Sequence, residues 1–459
     1  MTILEAEESA AATRASYGRR ALTAWETNRA VGWTAAARVW AVIAGPISVL
    51  LIAAHLTADE QGFYYAFASI TAFQLMFELG LGFVVVQFAS HEKAFLQWQP
   101  DGTLGGSDLE KGRLAALLRK TLHWYGVAAM LTAVSLLVGG TLFFAWKATT
   151  VRGWERPWIA VAMLAAGTLF FTPFLSLLEG CGEVADVARV RTWQAVASNL
   201  AAWSVLLAGG RLWASAAILG ASLLVGAVWV LMTRRPLFAD LLRTRGGRIS
   251  WRDEVWPFQW RIAVSWASSY FIIHLFIPVL FASHGPSAAG QLGMTFTLAS
   301  AVFIVALAPL TTRIPHFGEL IARRDFAALD ARFFSTMWRS FAVMALGGAA
   351  LFGGVLVLRA VEPRWSARLL DPLPLAFLLG ALLANTIVFA EAMYLRAHKQ
   401  EPFLGVYVAS ALVIGLSTFT LGRTFGATGM MFGYFATTVL ISLAGGTWVF
   451  LRKRREWHV

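Results

Sequence analysis

The sequence has little charge and almost no cysteine. Only 14% of its 459 residues are charged and 58% are apolar, whereas an ordinary soluble domain has roughly 25% charged residues. This composition excludes a soluble globular enzyme with a normally hydrated surface, and it also excludes a disordered chain, which needs the opposite balance. Cys181 is the single cysteine, so the chain is not a disulfide-stabilised scaffold.

The sequence also lacks the motifs that carry common enzyme chemistry. It contains no G-x-x-x-x-G-K-[ST] phosphate-binding loop, no H-E-x-x-H metal site, no C-x-x-C pair and no G-x-S-x-G nucleophile motif. The eight histidines are dispersed along the chain. We therefore predict no enzymatic activity, no catalytic residue, no metal site and no cofactor.

Long apolar runs are what the sequence does contain. A helix needs about 20 mostly apolar residues to cross the hydrocarbon core of a bilayer. Runs of this kind predict an all-α polytopic membrane protein. They lie at 36–56, 62–88, 124–146, 157–178, 192–209, 212–232, 258–282, 288–312, 337–358, 373–395, 403–421 and 427–451.

The cationic residues indicate the orientation of these twelve predicted spans. Cytoplasmic loops of membrane proteins are enriched in Lys and Arg. With the N terminus placed in the cytoplasm, 30 of the 38 Lys and Arg residues fall on the cytoplasmic side. We therefore predict that both termini are cytoplasmic. This asymmetry accounts for the net charge of +12 without a nucleic-acid partner.

A cytoplasmic linker at 233–257 divides the predicted spans into two six-helix lobes, 36–232 and 258–451. We expect the lobes to enclose a central cavity. Residues 1–35 form a predicted cytoplasmic segment with an interfacial helix over 16–34, and 452–459 form a basic cytoplasmic tail.

The two halves share local features that suggest an internal repeat. Gly62 and Gly290 each precede a span of aromatic, small and β-branched residues, and Pro46 and Pro278 each lie in the first span of a half. Parallel repeats of six spans would produce this pattern, although so short a match can also arise by chance. A proline inside a span interrupts a helix and favours a moving element.

Three ionisable residues inside predicted spans are candidate ion-coupling or cavity residues. Such a side chain at the bilayer centre costs at least about 2.5–3.5 kcal/mol. Glu78 is the deepest, and it is either a cation, proton or substrate site or a carboxyl that only pairs with another helix. His274 is either proton-linked or structural. Glu391 lies near the cytoplasmic end of its span, and we expect it to reach the lipid headgroups.

Arginine residues at the cytoplasmic ends of spans are candidate anion-binding residues. Arg38 opens the first span, Arg261 opens the seventh and Arg313 closes the eighth. The enrichment of cations on the cytoplasmic side is enough to explain the position of any one of these arginines. Around a common cytoplasmic opening, however, their guanidinium groups would match the oxygens of a phosphate. Gln74 and Asn199 are polar span residues that we predict to bind the same substrate.

Several segments of the sequence resemble a known transporter family. They are EQGFYYAFASITAFQLMFELGLGFVVVQFAS (60–90), SLLEGCGEVADVARVRTWQA (176–195), FIPVLFASHGPSAAGQLGMTFTLASAVFIVALAPLTTRIPHFGELIARRDFAALD (276–330), YLRAHKQEPFLG (394–405) and GATGMMFGY (426–434). Together with the twelve-span plan, they resemble the Wzx-like flippases of O-antigen and capsule oligosaccharides, within the MOP exporter superfamily.

The resemblance implies a multi-pass protein of the bacterial inner membrane that serves surface polysaccharide biosynthesis, as O-antigen, capsule or exopolysaccharide. Such a carrier moves an undecaprenyl-diphosphate-linked oligosaccharide from the cytoplasmic to the periplasmic leaflet by alternating access. Its implied partners are this polyprenyl-diphosphate oligosaccharide, membrane lipids, H+ or Na+, and polysaccharide polymerase machinery. The alternatives are a cation-coupled exporter of small molecules or drugs from the same superfamily and a membrane-embedded polysaccharide-processing enzyme.

Overall fold

The computed structural model describes residues 3–147, 151–398, 400 and 402–457 of the chain. For residues 3–28, Arg261, Ser265, Ser269 and Pro315 it describes the backbone only. The described chain is an all-α polytopic membrane protein, as the sequence predicts. Its large apolar side chains face outward at many positions; Met232, Leu346 and Leu440 are 80%, 73% and 71% exposed. A surface of this kind requires a lipid environment.

The N-terminal half begins with one very long helix. The helices of this half are α1 (Ile3–His55), α2 (Ala58–Thr71), α3 (Leu75–Glu78), α4 (Leu81–Lys93), α5 (Asp108–Val134), α6 (Thr141–Lys147), α7 (Glu155–Gly180), α8 (Val184–Leu207), α9 (Trp213–Trp229) and α10 (Arg235–Arg243). A 3-10 turn (Ala72–Gln74) joins α2 to α3, and π-helical turns extend α5 (Ser135–Gly140) and α9 (Val230–Arg234).

The C-terminal half begins with a π-helical turn, Trp251–Val255. Its helices are α11 (Trp256–Ile273), α12 (Phe276–His284), α13 (Pro286–Thr311), α14 (Ile314–Ala322), α15 (Phe326–Val361), α16 (Pro363–Ser366), α17 (Pro372–Ala397), α18 (Leu404–Thr437) and α19 (Ala444–Trp457). A last π-helical turn, Thr438–Leu443, joins α18 to α19.

Nine helical stretches of the described chain are long and apolar enough to cross a membrane, and the bent pair Ala58–Glu78 and Leu81–Lys93 brings the number to ten. The sequence predicted twelve. One difference is α8, because Arg191, Gln194 and Asn199 make it less apolar than its neighbours. The other is the stretch Leu404–Trp457, which contains two predicted spans. Gly426 breaks this stretch with a φ of +61°, between the two predicted spans.

Residues 102–112 contain strand β2 (Leu104–Gly106), which pairs antiparallel with β1 (Leu96–Trp98), and the start of α5. Two segments differ from their predicted form. The linker 233–257 is not a simple loop, because it includes α10 and the turn Trp251–Val255. The predicted interfacial helix, 16–34, and the first predicted span, 36–56, are not separated by a break. Both belong to α1, which is continuous as far as His55.

Among the described residues, the two halves share buried cores at one end of the molecule. This end, which we call the Gly62 end, contains Gly62 and the turns at 56–57 and at Gly285. Here Phe63 of α2 packs against Phe281 of α12 with ring centroids 5.0 Å apart. At the opposite end, which we call the linker end, one cluster of buried residues draws on residues 81–255 and another on residues 307–450.

Each half contains one broken helix that faces the other half. In the N-terminal half, Leu79 and Gly80 both adopt left-handed φ angles, +52° and +64°, between α3 and α4. In the C-terminal half, α11 and α12 are separated at His274–Leu275. The ring of Pro278 clashes with the carbonyl four residues earlier, which is that of His274, and this explains the position of the break. Pro46 causes no such break in α1.

Candidate functional site

The two halves meet where α3 packs on α11. Tyr270 links the halves, because its ring lies 5.8 Å from that of Phe73 and 5.9 Å from that of His274 in its own half. A Cβ atom at Gly80 would stand 2.4 Å from Cγ2 of Ile262. Glycine at the break therefore lets the two helices approach closely. The predicted residue His274 thus lies beside the interface between the halves.

Glu78 belongs to this region and is held by a neighbouring helix. The hydroxyl of Tyr125 on α5 donates a hydrogen bond to Oε1 of Glu78 over 3.1 Å. A Cβ atom at Gly82 would lie 3.1 Å from Oε1 of Glu78 and 3.2 Å from Oγ of Ser176. Glu78, Tyr125 and Ser176 therefore form a compact polar cluster among apolar helices. The sequence did not indicate Tyr125 or Ser176, because an isolated hydroxyl in an apolar span carries no pattern.

Gln74 lies one helical turn before Glu78. Its side-chain oxygen, Oε1, is buried and has no hydrogen-bond partner among the described residues. An unsatisfied buried carbonyl oxygen costs about 1–3 kcal/mol, so a donor from a ligand or water would be favourable at this position. Asn199 is half-buried on α8, which packs on α1 and α9. No hydrogen bond among the described residues connects it with Gln74 or Glu78.

Two of the predicted arginines converge at the linker end of α13. Nη1 of Arg38 on α1 donates to Oγ1 of Thr311 over 2.9 Å, across the boundary between the halves. Two residues further along, Nη1 of Arg313 donates to Oγ1 of Thr336 over 2.9 Å. The side chain of the third predicted arginine, Arg261, lies outside the described part of the structure.

Both arginines differ from the ion-paired arginines of the described chain in the chemistry of their partners. Arg113, Arg234 and Arg454 each donate to carboxylates, namely Glu92 and Glu254, Glu183 and Asp186, and Asp330. Arg38 and Arg313 contact neutral hydroxyl groups, and no carboxylate among the described residues lies within ion-pair distance of them. Their charges are therefore available to an anion.

Glu391 does not reach the lipid headgroups, which corrects the expectation from sequence. It is 3% exposed, and the hydroxyl of Thr447 donates to its Oε1 over 2.8 Å. Its second oxygen, Oε2, is buried without a hydrogen-bond partner among the described residues. The close approach of Gly446 on α19, whose Cβ would stand 3.7 Å from Oε2, encloses this carboxyl within the C-terminal half. Glu391 is thus separate from the cluster around Glu78.

The Gly62 end holds a polar contact that the sequence did not reveal. Gln61, which is 1% exposed, donates to the carbonyl of Gly290 over 2.8 Å and to that of Arg368 over 3.1 Å. Gly62 and Gly290, which the sequence related only as repeats, lie against each other: a Cβ at Gly290 would be 2.8 Å from the nitrogen of Gly62. This contact closes the boundary between the halves.

The fold is similar to that of solved transporters of the MOP superfamily. It superposes on an inward-facing multidrug resistance MATE family transporter with a TM-score of 0.67 and 12% identity, over 91% of this chain and 95% of that one. It superposes equally well on the lipid II flippase MurJ in an inward closed conformation, with a TM-score of 0.67 and 8% identity, over 92% and 87% of the two chains.

An outward-facing MATE family transporter gives a lower TM-score of 0.55 at 12% identity, over 94% of this chain and 96% of that one. No protein-family model and no curated protein matches the sequence. At these identities the similarity establishes the fold alone. The cargo must be inferred from the side chains.

Proposed function

We propose that this protein is a flippase of the bacterial inner membrane that moves an undecaprenyl-diphosphate-linked oligosaccharide to the periplasmic leaflet for surface polysaccharide synthesis. The observation that carries the proposal is the pair Arg38 and Arg313, which bond to Thr311 and Thr336 rather than to carboxylates. A diphosphate offers several oxygens to such guanidinium groups, and charge-assisted hydrogen bonds of this kind are worth about 1.5–3 kcal/mol each.

The position of the pair suits a carrier that works by alternating access. The halves are closed together at the Gly62 end by Gln61, Gly62 and Gly290. The arginine pair lies at the linker end, which we predict to be cytoplasmic from the distribution of Lys and Arg. A diphosphate arriving from the cytoplasmic leaflet would meet these arginines first, and opening of the Gly62 end would release it on the other side.

A complementation experiment tests this proposal. In a strain without the gene, we expect the lipid-linked oligosaccharide to accumulate on the cytoplasmic side and surface polysaccharide to be lost. Arg38→Gln and Arg313→Gln should each reduce restoration by about tenfold or more, because each removes a charge-assisted bond. Arg323→Gln is the matched control, since Arg323 is exposed, carries the same charge and follows Arg313 at the same end. Normal surface polysaccharide in the deletion strain would overturn the proposal.

A cation-coupled exporter of small molecules is the second candidate, and the buried carboxyls favour it. Glu391 has an oxygen without a described partner, and Glu78 lies in the polar cluster with Tyr125. Either carboxyl, or His274, could take up H+ or Na+ in both kinds of transporter. A cationic cargo would be repelled by Arg38 and Arg313, however, so it should be transported better, not worse, after Arg313→Gln. The flippase proposal expects the opposite change for an anionic cargo.

A further inference from the structure

A cavity lined by cationic residues lies at the linker end, and neither Arg38 nor Arg313 lines it. It has a volume of about 370 Å³ and is formed by α5 and the linker. Its lining residues are Arg119, Lys120, His123, Trp124 and Trp251. The indole rings of Trp124 and Trp251 stack almost in parallel, at 14°, with centroids 6.0 Å apart. Two permanent cations and a histidine thus stand beside a flat apolar wall.

The cavity is built by close contact between the linker and α5. Nη1 of Arg119 donates to the carbonyl of Thr244 over 2.5 Å, and Nζ of Lys120 donates to the carbonyl of Ile249. A Cβ atom at Gly247 would lie 1.8 Å from the carbonyl oxygen of Gly112, so only glycine allows this approach. The linker backbone therefore holds Trp251 against α5 and fixes the shape of the cavity.

The charges of this cavity are not neutralised by hydrogen-bonded carboxylates. Arg119 and Lys120 donate to backbone carbonyls, which carry no formal charge. Glu254 is an acidic residue whose charge interacts with that of Lys120. Its carboxylate accepts a hydrogen bond from Nη2 of Arg113 over 2.7 Å and another from the backbone nitrogen of Ser250 over 2.8 Å. Glu254 is thus paired elsewhere, and the cavity keeps an excess of positive charge.

The cavity lies at the depth of lipid headgroups. Along α5 the last cation is Lys120, and from Trp124 to the end of the helix no charged residue occurs. On the first turns of α11, which follow the linker, Trp256 and Trp260 are each 44% exposed and Phe258 is 40% exposed. A belt of exposed aromatic side chains next to the last cation marks the boundary between headgroups and hydrocarbon.

We propose that this cavity binds the phosphate of an anionic lipid headgroup. Arg119, Lys120 and His123 would face the phosphate, and the stacked indoles would cover the apolar part of the headgroup. Because the bound lipid would contact both α5 and Trp251, it would stabilise the attachment of the linker to the N-terminal half. The proposal does not depend on the cargo of the transporter.

Lipid binding to the purified full-length protein tests the proposal. The probes are dioctanoyl phosphatidylglycerol, dioctanoyl phosphatidylcholine and inorganic diphosphate, and bound molecules are counted by native mass spectrometry in detergent. We expect phosphatidylglycerol to bind in preference to phosphatidylcholine, and Lys120→Gln to weaken its binding about fivefold, the typical effect of one cation at a membrane surface.

A second variant tests the charge of the cavity without removing a hydrogen bond between α5 and the linker. His123 is exposed, so His123→Glu adds a negative charge at the cavity without removing a hydrogen bond that holds the linker. It should weaken phosphatidylglycerol binding at least as much as Lys120→Gln. His91→Glu, at an exposed histidine outside the cavity, is the matched control and should have no effect. Equal binding of phosphatidylcholine would overturn the proposal, and so would unchanged phosphatidylglycerol binding by both cavity variants. Binding of inorganic diphosphate that both cavity variants weaken as strongly as that of phosphatidylglycerol would also overturn it.

Discussion

Replacing Gly62 by alanine should open the Gly62 end. A Cβ atom at this position would stand 1.9 Å from the carbonyl oxygen of Pro286, 2.4 Å from its carbonyl carbon and 2.8 Å from its Cα. All three atoms belong to the backbone, so no side-chain rotation can relieve the clash. Since Cβ contacts below 3.0 Å essentially never occur, α2 and α13 must move apart by about 1 Å.

This displacement should change the balance between closed and open states. Overpacking of a tight contact typically costs about 1–3 kcal/mol. A shift of about 1 Å would also stretch the 2.8 Å hydrogen bond from Gln61 to Gly290 beyond its normal range. At roughly 2 kcal/mol, the population open at the Gly62 end should rise about 30-fold, provided that the open state relieves the clash.

Thiol labelling measures this population. Cys181 is fully buried, and burial raises the pKa of its thiol to about 12, so the native cysteine should react little with a water-soluble maleimide. Ala289→Cys places a reactive thiol at a buried position on α13, in the core that the halves share. We expect Gly62→Ala to accelerate its labelling about 30-fold. Gly353→Ala is the control, because its Cβ meets no atom within 4 Å. An unchanged labelling rate in a folded Gly62→Ala protein would refute the reasoning.

Three further predictions concern buried polar groups. Tyr125→Phe removes the hydrogen bond to Glu78 and should lower the free energy of unfolding by about 1 kcal/mol; an unchanged thermal midpoint would show that the contact is dispensable. Glu391→Gln keeps an acceptor for Thr447 but removes the ionisable group, so it should abolish any Na+- or H+-dependence of transport without loss of stability. Full ion dependence in that variant would exclude Glu391 as the coupling group. Asp330→Asn weakens the pair with Arg454 and should lower the thermal midpoint while leaving transport intact, since this pair lies apart from the candidate site.

The helical architecture was predictable because hydrocarbon imposes a simple demand. Each span must satisfy its backbone internally and carry about 20 apolar residues, and this signal is visible in one sequence. The number of spans is harder to predict from sequence where this demand is relaxed. The helix α8 carries Arg191, Gln194 and Asn199, and Gly426 bends a stretch that is otherwise continuous.

The candidate site was only partly predictable, because helix packing decides the partners of each side chain. Glu391 illustrates this: its place near the end of a predicted span suggested an interfacial residue, yet the approach of Gly446 and Thr447 encloses it. The sequence likewise related Gly62 to Gly290 as repeats, whereas their close contact depends on how α2 crosses α13. Contacts between distant segments leave no periodic signal along the chain.

The group to which an arginine donates distinguishes a structural role from a binding role more clearly than the position of that arginine in the sequence does. An arginine held by carboxylates, such as Arg234 between Glu183 and Asp186, is neutralised within the fold. To bind a ligand it would have to break those bonds, which cost several kcal/mol when partly buried. An arginine bonded to a threonine hydroxyl loses only one hydrogen bond to an uncharged acceptor, worth about 1.5–3 kcal/mol, and no ion pair. An anionic cargo should therefore be bound through Arg38 and Arg313 rather than through the more numerous arginines in ion pairs.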